Sequence, residues 1–87
     1  MKSLAFYEKA AFSGVPDAQY QVAASYFDGD AAEKNHIKAL AWFKTAADNG
    51  SKEAPRFVAA LSRSLTPSQL KEANNLYDQI KRKLTRR

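Results

Sequence analysis

The sequence predicts an all-α fold, an α/α solenoid of antiparallel helix pairs with about five helices, and three observations carry that prediction. Leu4-Ala5-Phe6-Tyr7-Glu8-Lys9-Ala10-Ala11-Phe12-Ser13-Gly14 returns, 36 positions later, as Leu40-Ala41-Trp42-Phe43-Lys44-Thr45-Ala46-Ala47-Asp48-Asn49-Gly50. The likeness runs past the glycines, where Ala18, Val22, Ala23 and Ala24 meet Ala54, Val58, Ala59 and Ala60, so residues 3–24 repeat as 39–60. A period of that size marks stacked helical units, each of which buries its apolar face only against a neighbour. Apolar residues also recur at spacings of three and four, and glycines, prolines and short polar residues punctuate the chain at helix-length intervals.

The first helix spans about residues 3–13, with Ser3, Phe6, Tyr7, Ala10, Ala11 and Gly14 on one face. Gly14 supplies the permissive backbone needed just past its end. Pro16 suits the first turn of a second helix, where a missing N–H costs little, and Asp17 suits the positive end of its dipole. That helix runs to about Phe27, with Ala18, Val22, Ala23, Tyr26 and Phe27 as its buried stripe and Gln21 and Ser25 on a more polar side. Residues 28–35 have no periodicity and form a loop, which Asn35 closes as the cap of a third helix, His36 to Asn49.

In the third helix Ala39, Trp42, Phe43, Ala46 and Ala47 repeat the first helix's stripe, large residues beside small ones. The small residues admit a neighbouring helix and the aromatics fill the groove beside it. Gly50 ends the helix, Ser51 caps a fourth at about Lys52 to Ser64, and Pro55 falls in its first turn. Here the copies diverge: Tyr20, Tyr26 and Phe27 become Arg56, Ser62 and Arg63, while Gln21 and Ser25 become Phe57 and Leu61. The apolar stripe has turned to Ala54, Phe57, Val58, Leu61 and Leu65, and the last helix is the expected new neighbour. Thr66-Pro67-Ser68-Gln69 predicts a capping box. The fifth helix, about Pro67 to Leu84, carries Leu70, Ala73, Tyr77, Ile80 and Leu84 and is expected to cap the open end of the stack.

The 87 residues allow one domain, 1–87, with 66–84 as its terminal cap and 85–87 as a basic tail. At 45% hydrophobic and 26% charged, the composition is that of a globular chain rather than a disordered one. The net charge of +5 resides in Lys81, Arg82, Lys83, Arg86 and Arg87, since the rest of the chain balances. With no cysteine there is neither a disulfide framework nor a thiolate metal site, which fits a reducing compartment. The amino terminus has no apolar run of signal-peptide length and no stretch is long enough for a membrane span, so a cytoplasmic protein without membrane contact is expected.

Together the residues resemble the Sel-one-like repeat, a relative of the tetratricopeptide repeat. Ala18, Tyr20, Val22, Ala23, Tyr26 and Gly29 match the first helix and loop of the family pattern, and Ala39, Trp42, Phe43, Ala46, Ala47 and Gly50 match the second. The likeness covers about Ser3 to Ala60. It implies a right-handed superhelix and adaptor or scaffold work: binding another protein or peptide, with no catalytic residues and no cofactor. It also implies a concave side lined by the first helix of each pair, where Gln21, Ser25, Phe57 and Leu61 would meet the partner. Ala11, Gly14, Ala18, Tyr20, Val22, Tyr26, Trp42, Phe43, Ala47 and Gly50 are the structural repeat positions.

Other chemistries find little support. His36 is the only histidine and is expected to face solvent at a helix start. Asp28, Asp30 and Glu33 lack the further oxygen ligands and central glycine of a calcium loop. No nucleophile has a base at motif spacing. Trp42, Tyr7 and Phe43 suit core packing better than a ligand cage, and the expected core is Phe6, Tyr7, Ala11, Ala18, Val22, Trp42, Phe43, Ala47, Val58 and Leu61. The basic tail makes an acidic or nucleic-acid partner the alternative function, although no aromatic follows Tyr77 to stack on bases. Phe12, where the later copy has Asp48, predicts an open apolar end on the first helix, met by a homodimer or by further repeats.

Overall fold

The computed structural model describes residues 4–29 and 35–85, with side chains described from Tyr7 to Gly29 and from Asn35 to Leu84. Among them are five helices: α1 (Leu4–Phe12), α2 (Pro16–Asp28), α3 (His36–Asp48), α4 (Ala54–Ser64) and α5 (Pro67–Thr85). The repeat is written in the backbone as well as in the sequence. Gly14 and Gly50 take left-handed φ values of 96° and 108°. Val15 N–H donates to Ala10 and Gly14 N–H to Ala11, at 3.3 and 3.1 Å. Ser51 and Gly50 bond Ala46 and Ala47 in the same way, at 2.9 and 3.2 Å. Both helices thus end in the same Schellman turn, and each turn satisfies two carbonyls left over by its helix.

The helix starts follow from their caps. Asn35 Oδ1 accepts from Lys38 N–H at 3.0 Å. Thr66 and Gln69 exchange side-chain and backbone bonds of 2.9 and 3.2 Å, a complete capping box. Ser51 Oγ accepts from Ala54 N–H at 3.3 Å, and α4 begins at Ala54, two residues beyond the expected start.

α3 is the centre of the molecule. Ala39, Leu40, Ala41, Trp42, Phe43, Thr45 and Ala46 are all buried, so apolar or satisfied side chains surround most of its circumference. α2, α4 and α5 each pack on it, and α1 packs on α2. Buried Thr45 stays satisfied because its Oγ1 donates to Ala41 C=O at 2.9 Å.

α4 buries Ala54 and Leu61 and half-buries Phe57, Val58 and Leu65, as its turned stripe predicts. Its neighbour differs from the expected one, however. α4 packs on α3 and has at most marginal contact with α5. Phe57 explains the choice: its ring stacks on Phe43 at 4.6 Å and 6°, and meets Phe27 and Tyr20 edge-on at 5.4 and 5.9 Å. Each such aromatic pair adds about 0.5–1.5 kcal/mol beyond its buried area.

α5 folds back over α3 and reaches α1. Ala73 and Ile80 are its buried residues, and Lys83 Nζ lies 5.3 Å from the Phe12 ring centre. Phe12 also packs edge-on against Trp42 at 5.0 Å. The open apolar end expected at Phe12 is therefore half-buried rather than bare; the side chain of Phe6, on the same helix, lies outside the described residues. The all-α expectation holds among the described residues, and the principal extents of 31, 30 and 21 Å are those of a short stack of helices.

Of the expected core, Ala11, Ala18, Val22, Trp42, Phe43 and Leu61 are buried, and Tyr7, Ala47 and Val58 are half-buried. No helix among the described residues is long and apolar enough to cross a membrane.

Candidate functional site

The four residues expected on the concave side separate by register. Gln21 and Phe57 occupy equivalent positions of the two copies, and both are half-buried. Ser25 and Leu61 are also equivalent, and both are buried, at 5% and 1% exposed. They face inward, so neither is available to touch a partner. Ser25 is small enough to fill the inward position that Leu61 fills in the next copy, and its polarity alone suggested an outward one.

Around Phe57 the surface is aromatic. Half-buried Tyr20, Phe27 and Phe57 bridge α2 and α4 above the fully buried Phe43, with Tyr20 and Phe43 5.6 Å apart and Phe27 and Phe43 6.2 Å apart. His36 lies flat on Phe27 at 5.1 Å and 20°, half-buried instead of facing solvent. The N-terminal end of α3 brings it there, at the edge of the aromatic cluster. This face offers ring edges, a surface suited to apolar contact.

Gln19 organises the opposite ends of these helices. It is fully buried; its Nε2 donates to Ala11 C=O at 3.0 Å and its Oε1 accepts from Asn49 Nδ2 at 3.0 Å. Nothing in the spacing marks it, because the later copy has Pro55 at the same position and apolar periodicity passes over glutamine.

A cavity of about 240 Å³ lies between α1 and α5, floored by Ala41 and Trp42 of α3 and closed at its sides by Phe12 and Ile80. At its rim Tyr26 O–H donates to Glu8 at 3.3 Å, with Lys38 Nζ 5.3 Å from the Tyr26 ring centre. Burial first, then the charge and hydrogen bond of Glu8, push the Tyr26 hydroxyl above its ordinary value of 10.0. Tyr77 O–H donates likewise to Asp48, between Lys44 and Lys81 on its ring faces. Burial, that hydrogen bond and the charges of Asp48 and Asp78 push it up to about 12. Both phenols thus keep their protons beyond the ordinary range and tie helix to helix, Tyr26 of α2 to Glu8 of α1 and Tyr77 of α5 to Asp48 of α3.

Among the described residues no group of His, Cys, Asp and Glu could hold a metal ion; Asp30 and Glu33 lie outside them. Of the basic tail, Lys81 and Lys83 rest on the rings of Tyr77 and Phe12, and Arg86 and Arg87 lie outside the described residues. Comparison with known families adds to this geometry. The family model described as Sel1 repeat matches residues 1–14 and 16–51, which include α1, α2 and all of α3. No curated protein matches the chain.

Proposed function

This chain belongs to the Sel1 repeat family, and on that premise we propose that it is a non-catalytic adaptor whose α2–α4 face binds a segment of another protein. Sel1 repeats are generally protein-interaction modules. The observation that carries the proposal to a particular face is the matched pair Gln21 and Phe57. Successive first helices present the same register position half-exposed, Phe57 within the aromatic cluster and Gln21 on α2, the helix that gives Tyr20 and Phe27 to that cluster. A partner segment laid across α2 and α4 meets ring edges for affinity and the Gln21 amide for orientation. Ser25 and Leu61 support that face from beneath.

The test is a photo-crosslinking residue placed at Gln21, with Glu72 of α5 as the control position, in nuclease-treated extract. The expected result is a discrete protein adduct from position 21 alone, which Gln21→Arg in the otherwise native chain competes for at least about tenfold less well. Equal adducts from both positions, or full competition by Gln21→Arg, would remove this face from the account.

A further inference from the structure

A furrow between α4 and α5 forms a second surface with its own chemistry. The two helices share a joint at Leu65 and Thr66, both pack on α3, and they meet each other at most marginally, so they splay from that joint. Between them runs a furrow of about 280 Å³, walled by Pro55, Val58 and Ala59 of α4 and by Tyr77 of α5, with Ala47 in its floor.

The polar groups beside that floor are already engaged. Lys44 donates to Asn74 Oδ1 and lies 5.2 Å from the Tyr77 ring centre, and Asp48 accepts from the Tyr77 hydroxyl. What the furrow offers an occupant is therefore apolar. Arg56 and Arg63 are exposed on α4 and stand three residues before and four after Ala59, seven residues and roughly 10 Å apart along the axis, so helical spacing sets both beside the Ala59 wall and gives that rim positive charge. Neither has an ion pair, hydrogen bond or ring contact among the described residues. A chain with net charge +5 repels a second copy of itself from such a rim.

We propose that this furrow receives an acidic amphipathic helix of a partner protein. One large apolar side chain seats between Val58 and Tyr77, and carboxylates two turns apart meet Arg56 and Arg63. Two helices splayed over a third leave room for a fourth, and ridge-into-groove packing beside Ala59 brings its axis close to α4. The surface is distinct from the α2–α4 face and its occupancy does not depend on that face binding anything.

The probe is a stapled helical peptide with leucines four residues apart and glutamates seven apart, titrated into the ¹⁵N-labelled chain; the same peptide with lysines in place of the glutamates is its counterpart. The expected result is chemical-shift change at Val58, Ala59 and Tyr77 with the glutamate peptide. Arg56→Glu with Arg63→Glu, both at exposed positions, should weaken it by about tenfold or more and let the lysine peptide bind in its place. Ala59→Phe, which fills the furrow and leaves the charges, should weaken both pairings. Unmoved resonances at these three amides up to about 1 mM peptide would overturn the proposal. So would equal affinity for the two peptides. Shifts confined to Tyr20, Gln21 and Phe57 would discard the furrow while supporting the α2–α4 face.

Discussion

Gln19 joins three helices through one side chain, since its amide spans Ala11 at the end of α1 and Asn49 at the end of α3 while its own backbone belongs to α2. Replacing a fully buried, doubly bonded amide with alanine removes its bonds to Ala11 C=O and to Asn49 and leaves a void beside Ala11. Gln19→Ala should therefore cost about 1–3 kcal/mol in urea unfolding, more than its exposed neighbours. Tyr77 carries the larger of the two phenol shifts. Folding favours its protonated form, with a pKa near 12 against 10.0 when free, so its contribution is whole below about pH 10 and is lost as pH rises toward 12. Absorbance titration of the phenols should show a late ionisation near pH 12 that Tyr77→Phe removes. Trp42, Phe43 and the two Schellman glycines were legible from spacing alone because period and residue size agree there. Gln19 was not legible, since its burial depends on two partners distant in sequence. Ser25 misled because a polar side chain filled an inward position.

The helices themselves were legible because their ends carry local signals. Asn35, Pro16, Pro67 and the Thr66–Gln69 box act within one turn and need no tertiary context. Thr66→Ala should cost about 1 kcal/mol of stability, measured by thermal melting, and fray the first turn of α5. What the helix signals do not encode is the neighbour. The turned stripe of α4 showed that its surroundings differ from those of α2, but only the Phe57–Phe43 stack shows that α3 and the rings of α2 are what it meets. The same limit applies to α5, whose apolar spacing specifies a packed face while the struts from Tyr77 to Asp48 and Lys44 to Asn74 specify the helix beneath it. The cavity between α1 and α5 and the furrow between α4 and α5 follow from these pairings, so neither was visible in the sequence.

As a whole the molecule is one Sel1 helical pair, α2 and α3, with α1 before it and α4 and α5 folded around α3. Trp42 sits where α1, α3 and α5 converge, against Phe12 and beside Ile80. Trp42→Ala should cost about 3–5 kcal/mol, a large share of the stability of so small a domain, and a urea midpoint little changed would contradict its place in the core. The charge distribution belongs to this scale too. Lys81 and Lys83 of α5 rest on aromatic faces, while Arg56 and Arg63 of α4 have no ion pair or ring contact among the described residues, so a steep salt dependence of partner binding that Arg56→Glu with Arg63→Glu removes would locate the contact at α4. The surfaces proposed for binding both depend on α3 being enclosed, because α2, α4 and α5 are held apart by it and the faces between them are what it leaves open.

Amide hydrogen exchange tests that arrangement most directly. The account predicts that Ala39 to Ala46 of α3 exchange only through global unfolding, and that the amides of α5 from Ala73 to Ile80 approach the same protection. Protection confined to α2 and α3, with α5 exchanging as a free helix, would contradict an α3 covered on its outer side and the furrow built upon it.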